Sequence, residues 1–120
     1  MLRAMTAHDP LDPARASVRS DLFGGRGAVR VWDLGARTPP FTAVLFCELE
    51  PDGRVGAHVQ EASDEVVIVV GGAARIHVGE RPHECTAGSA VALPLGATLR
   101  IDNTSPTEPL RYLIVKAQRS

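Results

Sequence analysis

The chain has 120 residues and a formal charge of −1 at pH 7, with 44% hydrophobic, 22% charged and 4% aromatic residues. That length holds one domain around a single core, and the composition excludes a disordered chain. The near-neutral charge offers no basic field for a nucleic acid or an anionic bilayer, and few aromatics are present to stack on single-stranded bases, so a small neutral partner fits better.

The opening MLRAMTAHDPLDPAR is polar and has no apolar centre of the kind an export signal requires. No apolar run reaches the roughly 20 residues of a membrane span. Both features point to a cytoplasmic protein. Residues 1–20 read as a polar N-terminal extension, with Asp12-Pro13 suited to cap and open one short helix ending near Ala16. Phe23-Gly24-Gly25-Arg26-Gly27 is Gly-rich, but no Lys-Ser/Thr pair and no helix follow it, so it reads as a turn rather than a phosphate loop.

From there the chain breaks into short β-branched runs separated by turn residues, with 11 Gly and 9 Pro in all. Strands are predicted over Ala28–Asp33, Thr42–Leu49, Val55–Gln60, Glu65–Val70, Ala73–Val78, Ser89–Leu93, Ala97–Asp102 and Leu110–Lys116. Pro51-Asp52-Gly53, Val78-Gly79-Glu80 and Pro94-Leu95-Gly96 supply turns, and Gly71-Gly72 suits a tight hairpin. Many short strands with almost no helix imply an all-β sandwich or barrel over residues 21–120. Glu65-Val-Val-Ile-Val-Val70 is apolar on both faces, so the N-terminal segment or a second subunit must cover its outer side.

Cys47 and Cys85 lie in apolar stretches, where reduced Cys acts as a small core hydrophobe. His58 and Gln60, two apart on a strand, project to one face, and a turn at Ala62–Asp64 brings Glu65 beside them. An imidazole, an amide oxygen and a carboxylate converging in this way form a candidate divalent-metal site. His77 and Arg75 share the face opposite Ala74, Ile76 and Val78; they read as an exposed pair, and a strand turned the other way would carry His77 into the pocket. His83 and His8 occupy polar, Pro-flanked stretches and read as solvated. Trp32 and Tyr112 read as core or interface, with the Tyr112 hydroxyl able to reach the pocket mouth.

Residues 53–103 resemble the cupin family, whose two motifs run G-x5-H-x-H-x3,4-E-x6-G and G-x5-P-x-G-x2-H-x3-N. His58, Gln60, Glu65 and Gly72 fall at the first His, second His, Glu and closing Gly of the first motif, with Gly53 one residue nearer His58 than the pattern. Gly88, Pro94, Gly96 and Asn103 match the second motif, and Leu99 stands where the family has a His. The resemblance implies a single jelly-roll β-barrel, a homodimer, and a metal held by His58, Gln60 and Glu65 with Leu99 walling the pocket, to which the strand reading adds His77 and Tyr112. Zn, Ni, Mn or Fe would suit that site, though half of the family's four ligands are changed and the metal can be absent. Two functions stay open. One is an enzyme of isomerase, lyase or dioxygenase type, in which Glu65 and His58 are the catalytic residues and work through a weakly held metal or by metal-free acid–base chemistry. The other is a metal-free small-molecule-binding barrel without turnover.

Overall fold

A computed structural model describes residues 9–119. Its strands are β1 (Ser17–Ser20), β2 (Ala28–Asp33), β3 (Phe41–Leu49), β4 (Arg54–Val59), β5 (Asp64–Gly71), β6 (Ala73–Val78), β7 (Arg81–Thr86), β8 (Ala90–Leu93), β9 (Thr98–Asn103) and β10 (Leu110–Ala117). They build a six-stranded sheet in the order β1-β2-β3-β10-β5-β8 and a four-stranded sheet in the order β4-β9-β6-β7. The result is the all-β jelly roll expected from the sequence, made of two sheets rather than one ring closed by hydrogen bonds. Among the described residues no helix is long and apolar enough to cross a membrane.

All eight predicted strands form, each with its ends within one residue of the expected positions. The unexpected strands, β1 and β7, are edge strands of the two sheets. Their sequences, SVRS and RPHECT, carry no apolar alternation, and only Cys85 is buried among them. Polar side chains and Pro82 suit an edge, where an apolar strand would template association. Part of the N-terminal stretch is therefore built into the sheet: Ser17 to Ser20 pair with Val31 to Ala28. Ahead of it, Asp12 caps a 3-10 turn over Pro13–Arg15 by accepting the Ala14 N–H at 2.9 Å. The Trp32 indole donates to the Asp12 carbonyl at 2.9 Å, which buries Trp32 beneath that turn. His8 lies outside the described residues.

Gly71-Gly72 is not a hairpin. β5 pairs with β10 and β8, whereas β6 pairs with β9 and β7, so the two glycines carry the chain from one sheet to the other. Gly72 has φ +92°, and a Cβ there would lie 2.7 Å from the Pro109 carbonyl oxygen. The same freedom that favours a hairpin turn serves this corner.

Alternation along the strands sends Val29, Leu49, Val67, Val69, Ile76, Leu93, Ile101 and Leu110 into one core between the sheets. Asn103 ties the end of β9 to the neighbouring loops. Its side-chain amide donates to the carbonyls of Leu49, Glu50 and Glu108 at 2.9–3.2 Å, and its oxygen accepts the Ser105 N–H. This matched motif residue is therefore a structural clamp.

Candidate functional site

The sheets part at one end around a cavity of about 560 Å³. Val29, Val31, Leu45, Cys47, Glu65, Tyr112, Ile114 and Lys116 line it from the six-stranded sheet, and Val55, His58, Leu99 and Ile101 from the four-stranded one. Phe23 and the segment Val59–Ser63 form part of its rim.

His58 owes its orientation to a β-bulge. On β4, Val55 pairs with Ile101 and His58 with Leu99, so Gly56 and Ala57 together oppose Arg100. The extra residue resets the alternation, and Val55 and His58 both face the cavity although they are three apart. The His58 ring is hydrogen-bonded through Nδ1 to the Gly56 carbonyl at 2.9 Å. Its face stacks on Phe23, with ring centroids 3.9 Å apart and planes 12° from parallel.

Glycine makes that stack sterically accessible. A Cβ on Gly25 would lie 1.9 Å from the Arg54 carbonyl oxygen, and one on Gly56 would lie 2.0 Å from the Phe23 carbonyl oxygen. Only two bare backbones approach so closely. Phe23 itself adopts φ +54°, a left-handed conformation costly for a bulky residue, and remains 55% exposed. The segment expected to be a plain turn thus places an aromatic ring over the predicted site histidine.

Gln60 is buried beyond the end of β4, where its backbone exchanges hydrogen bonds with Ala97 and Gly96. Glu65, on β5, is also buried, and its Oε2 has no hydrogen-bond partner among the described residues. The nearest cation is the Lys116 ammonium, 3.8 Å from Oε2. Burial raises the Glu65 pKa, and Lys116 offsets part of that rise. Tyr112 is fully enclosed beside Cys47, its cross-strand partner. Burial pushes the Cys47 thiol up to about 12, an effect that its neighbour Tyr112 only partly offsets. Burial, then the neighbouring Cys47 and Glu65, also raises the Tyr112 phenol. Both cysteines are free.

Of the residues predicted around the pocket, Leu99 and Tyr112 line the cavity beside His58, Gln60 and Glu65. His77 does not. On β6, Ala74 and Ile76 point inward, and His77 faces outward with its Nε2 3.5 Å from Asp102. The sequence reading missed Phe23 and Lys116. Lys116 was detectable: Leu110, Tyr112, Ile114 and Lys116 share one strand face, and a lysine ending a buried row marks either a sheet rim or a partnered charge.

The predicted metal ligands do not assemble a full donor set. Among the described residues no three His, Cys, Asp or Glu side chains gather as a metal site. His58 and Glu65 bring one nitrogen and one carboxylate, Gln60 adds a weak neutral oxygen, and Leu99 faces His58 with hydrocarbon. This donor set does not fit a resident Zn, Ni, Mn or Fe ion.

Residues 45–116 match the family described as "Cupin domain", and the chain belongs to it. No curated protein matches the chain. Among solved structures, a predicted oxalate decarboxylase from Thermotoga maritima is similar with a TM-score of 0.80 at 22% identity, covering 87% of this chain and 92% of that one. A Cupin 2 conserved barrel domain protein from Salinispora arenicola has a TM-score of 0.72 at 23% identity, covering 97% and 91%. The polyketide cyclase RemF from Streptomyces resistomycificus has a TM-score of 0.69 at 17% identity, covering 92% and 80%. At these identities the likeness is one of fold, and the neighbours' differing activities attach to the same barrel.

Proposed function

We propose that this cupin binds a small organic molecule between its sheets without a resident metal. The observation that carries this reading is the pairing of a roomy cavity, lined by both apolar and polar side chains, with a buried Glu65 carboxylate whose Oε2 lacks a hydrogen-bond partner among the described residues. Cavities of this size that combine apolar walls with converging polar groups are typical of small-molecule sites. The test combines elemental analysis with calorimetric titration by zinc, nickel, manganese and iron(II). Wild type is expected to hold no stoichiometric metal, and Leu99→His, which sets a second imidazole opposite His58, is expected to gain zinc or nickel affinity. A stoichiometric metal that is lost in His58→Ala refutes the reading.

One observation favours a second reading, turnover by acid–base chemistry. Burial raises the Glu65 pKa toward the range useful to a general base, and the carboxylate faces the same cavity as His58. Under this reading Glu65→Gln abolishes turnover while ligand affinity changes far less.

We also propose a homodimer formed through the outer face of the six-stranded sheet. Val66 pairs with Val115, which pairs with Val44, and Ile68 pairs with Leu113, which pairs with Phe46. The N-terminal turn covers Trp32 at one side, and Val66 and Val70 remain exposed. Replacing both valines with Asp is expected to convert a dimer to a monomer in light scattering. A wild type that scatters as one chain across the micromolar range refutes it.

A further inference from the structure

The polar groups around the cavity differ in how far they are already satisfied. His58 Nδ1 is engaged with the Gly56 carbonyl, and Tyr112 lies beside Cys47, its cross-strand partner. At the rim, Asp33 is tied to Arg37 and to the Gly35 N–H. Glu65 differs from all of these. Its side chain is only 2% exposed, and Oε2 has neither a protein donor nor access to bulk water among the described residues. An unmet buried acceptor is unfavourable, more so when charged, so a bound donor that reaches the carboxylate gains what the free protein lacks.

The surroundings narrow the donor. Lys116 already opposes the Glu65 charge at 3.8 Å, so a cationic head group would enter against an ammonium. An anionic head would meet the carboxylate in a poorly hydrated space and be refused. A head without a polar hydrogen would bury the carboxylate still unpaired, which is the costliest arrangement. Val29, Val31, Leu45, Leu99, Ile101 and Ile114 give the ligand's body an apolar wall, with Gln60, Ser63 and Tyr112 beside it.

We propose that the ligand is a neutral, mainly apolar molecule with one hydrogen-bond-donating head group, an O–H or N–H, that donates to the Glu65 carboxylate. This rests on the small-molecule reading above and deepens it by assigning the ligand's chemical class and the residue that selects it.

Four ring-matched probes test it: phenol, benzylamine, benzoate and toluene, titrated at neutral pH by NMR or calorimetry. Phenol is expected to bind about tenfold tighter than toluene, as a hydrogen bond to a charged acceptor provides, and benzylamine and benzoate more weakly than phenol. In Glu65→Leu the phenol preference should disappear while toluene affinity is kept. Should that variant fail to fold, Glu65→Gln is the substitute, and its weaker neutral acceptor should lower the phenol-to-toluene ratio. Tightest binding by benzylamine or benzoate, equal binding of phenol and toluene, or an unchanged ratio in a folded Glu65 variant overturns this assignment alone. If none of the four probes binds, the small-molecule reading fails and takes the assignment with it.

Discussion

Glu65 and Asp102 are both carboxylates with little exposure, one on the inner face of the six-stranded sheet and one on the outer face of the four-stranded sheet. Asp102 accepts from Arg54 at 2.6 Å and from Arg100 at 2.9 Å, with His77 at 3.5 Å. Burial raises its pKa, but the hydrogen bonds and charges of Arg100 and Arg54 outweigh that and leave it below the ordinary range. Among the described residues Glu65 has one cation at 3.8 Å and no donor for Oε2, and burial leaves its pKa above the ordinary range. Partner supply, more than depth, separates them: the satisfied carboxylate braces β4, β6 and β9, and the other faces the cavity with Oε2 unpartnered among the described residues.

The largest expected effect that would break this comparison comes from Asp102→Ala. It leaves Arg54, Arg100 and His77 crowded without a counter-charge and should cost about 2 kcal/mol in urea unfolding, less than a fully buried pair because the arginines reach solvent. Glu65→Leu should go the other way, stabilising by about 1 kcal/mol, since an unsatisfied buried carboxylate gives way to hydrocarbon and Lys116 can turn to water. A loss of stability equal to that of Asp102→Ala would mean that Glu65 is a structural ion pair.

The two groups should also answer pH with opposite signs. The Asp102 pKa is lower folded than unfolded, so its contribution is present above the unfolded value of 3.8 and is lost as pH falls through the folded one. The Glu65 pKa is higher folded than unfolded, so its contribution is present below 4.5 and is lost as pH rises through the folded value. Unfolding free energies measured from pH 3 to 7 should therefore fall less on acidification in Asp102→Asn and fall more in Glu65→Gln, each relative to wild type. Two variants shifting in the same direction would contradict the assignment.

Phe23→Ala should have the smallest effect. Loss of the stack costs about 1 kcal/mol, and relief of a bulky residue from positive φ offsets part of it. The sharper readout is His58: its ring NMR resonances should shift once the Phe23 ring current is removed. Unchanged resonances would place Phe23 away from His58 in solution.

Local pattern carried much of this protein. Short β-branched runs and the turn residues between them located eight strands, because branched side chains favour extended backbone and Gly, Pro and Asp favour turns. Two spaced motifs were enough for the family and for the neighbourhood of His58, Gln60, Glu65 and Leu99, since glycine, proline and pocket positions recur at fixed backbone distances. The edge strands β1 and β7 escaped notice because an exposed edge needs hydrogen bonds but no apolar side chains. Tertiary structure alone decided that Gly71-Gly72 bridges two sheets, that a bulge at Gly56-Ala57 turns His58 inward, and that Phe23 covers it. It also sent Lys116 toward Glu65 and His77 toward Asp102. Each of these outcomes depends on which strands become neighbours, and a strand's partners are set by the packing of the whole chain rather than by its own residues.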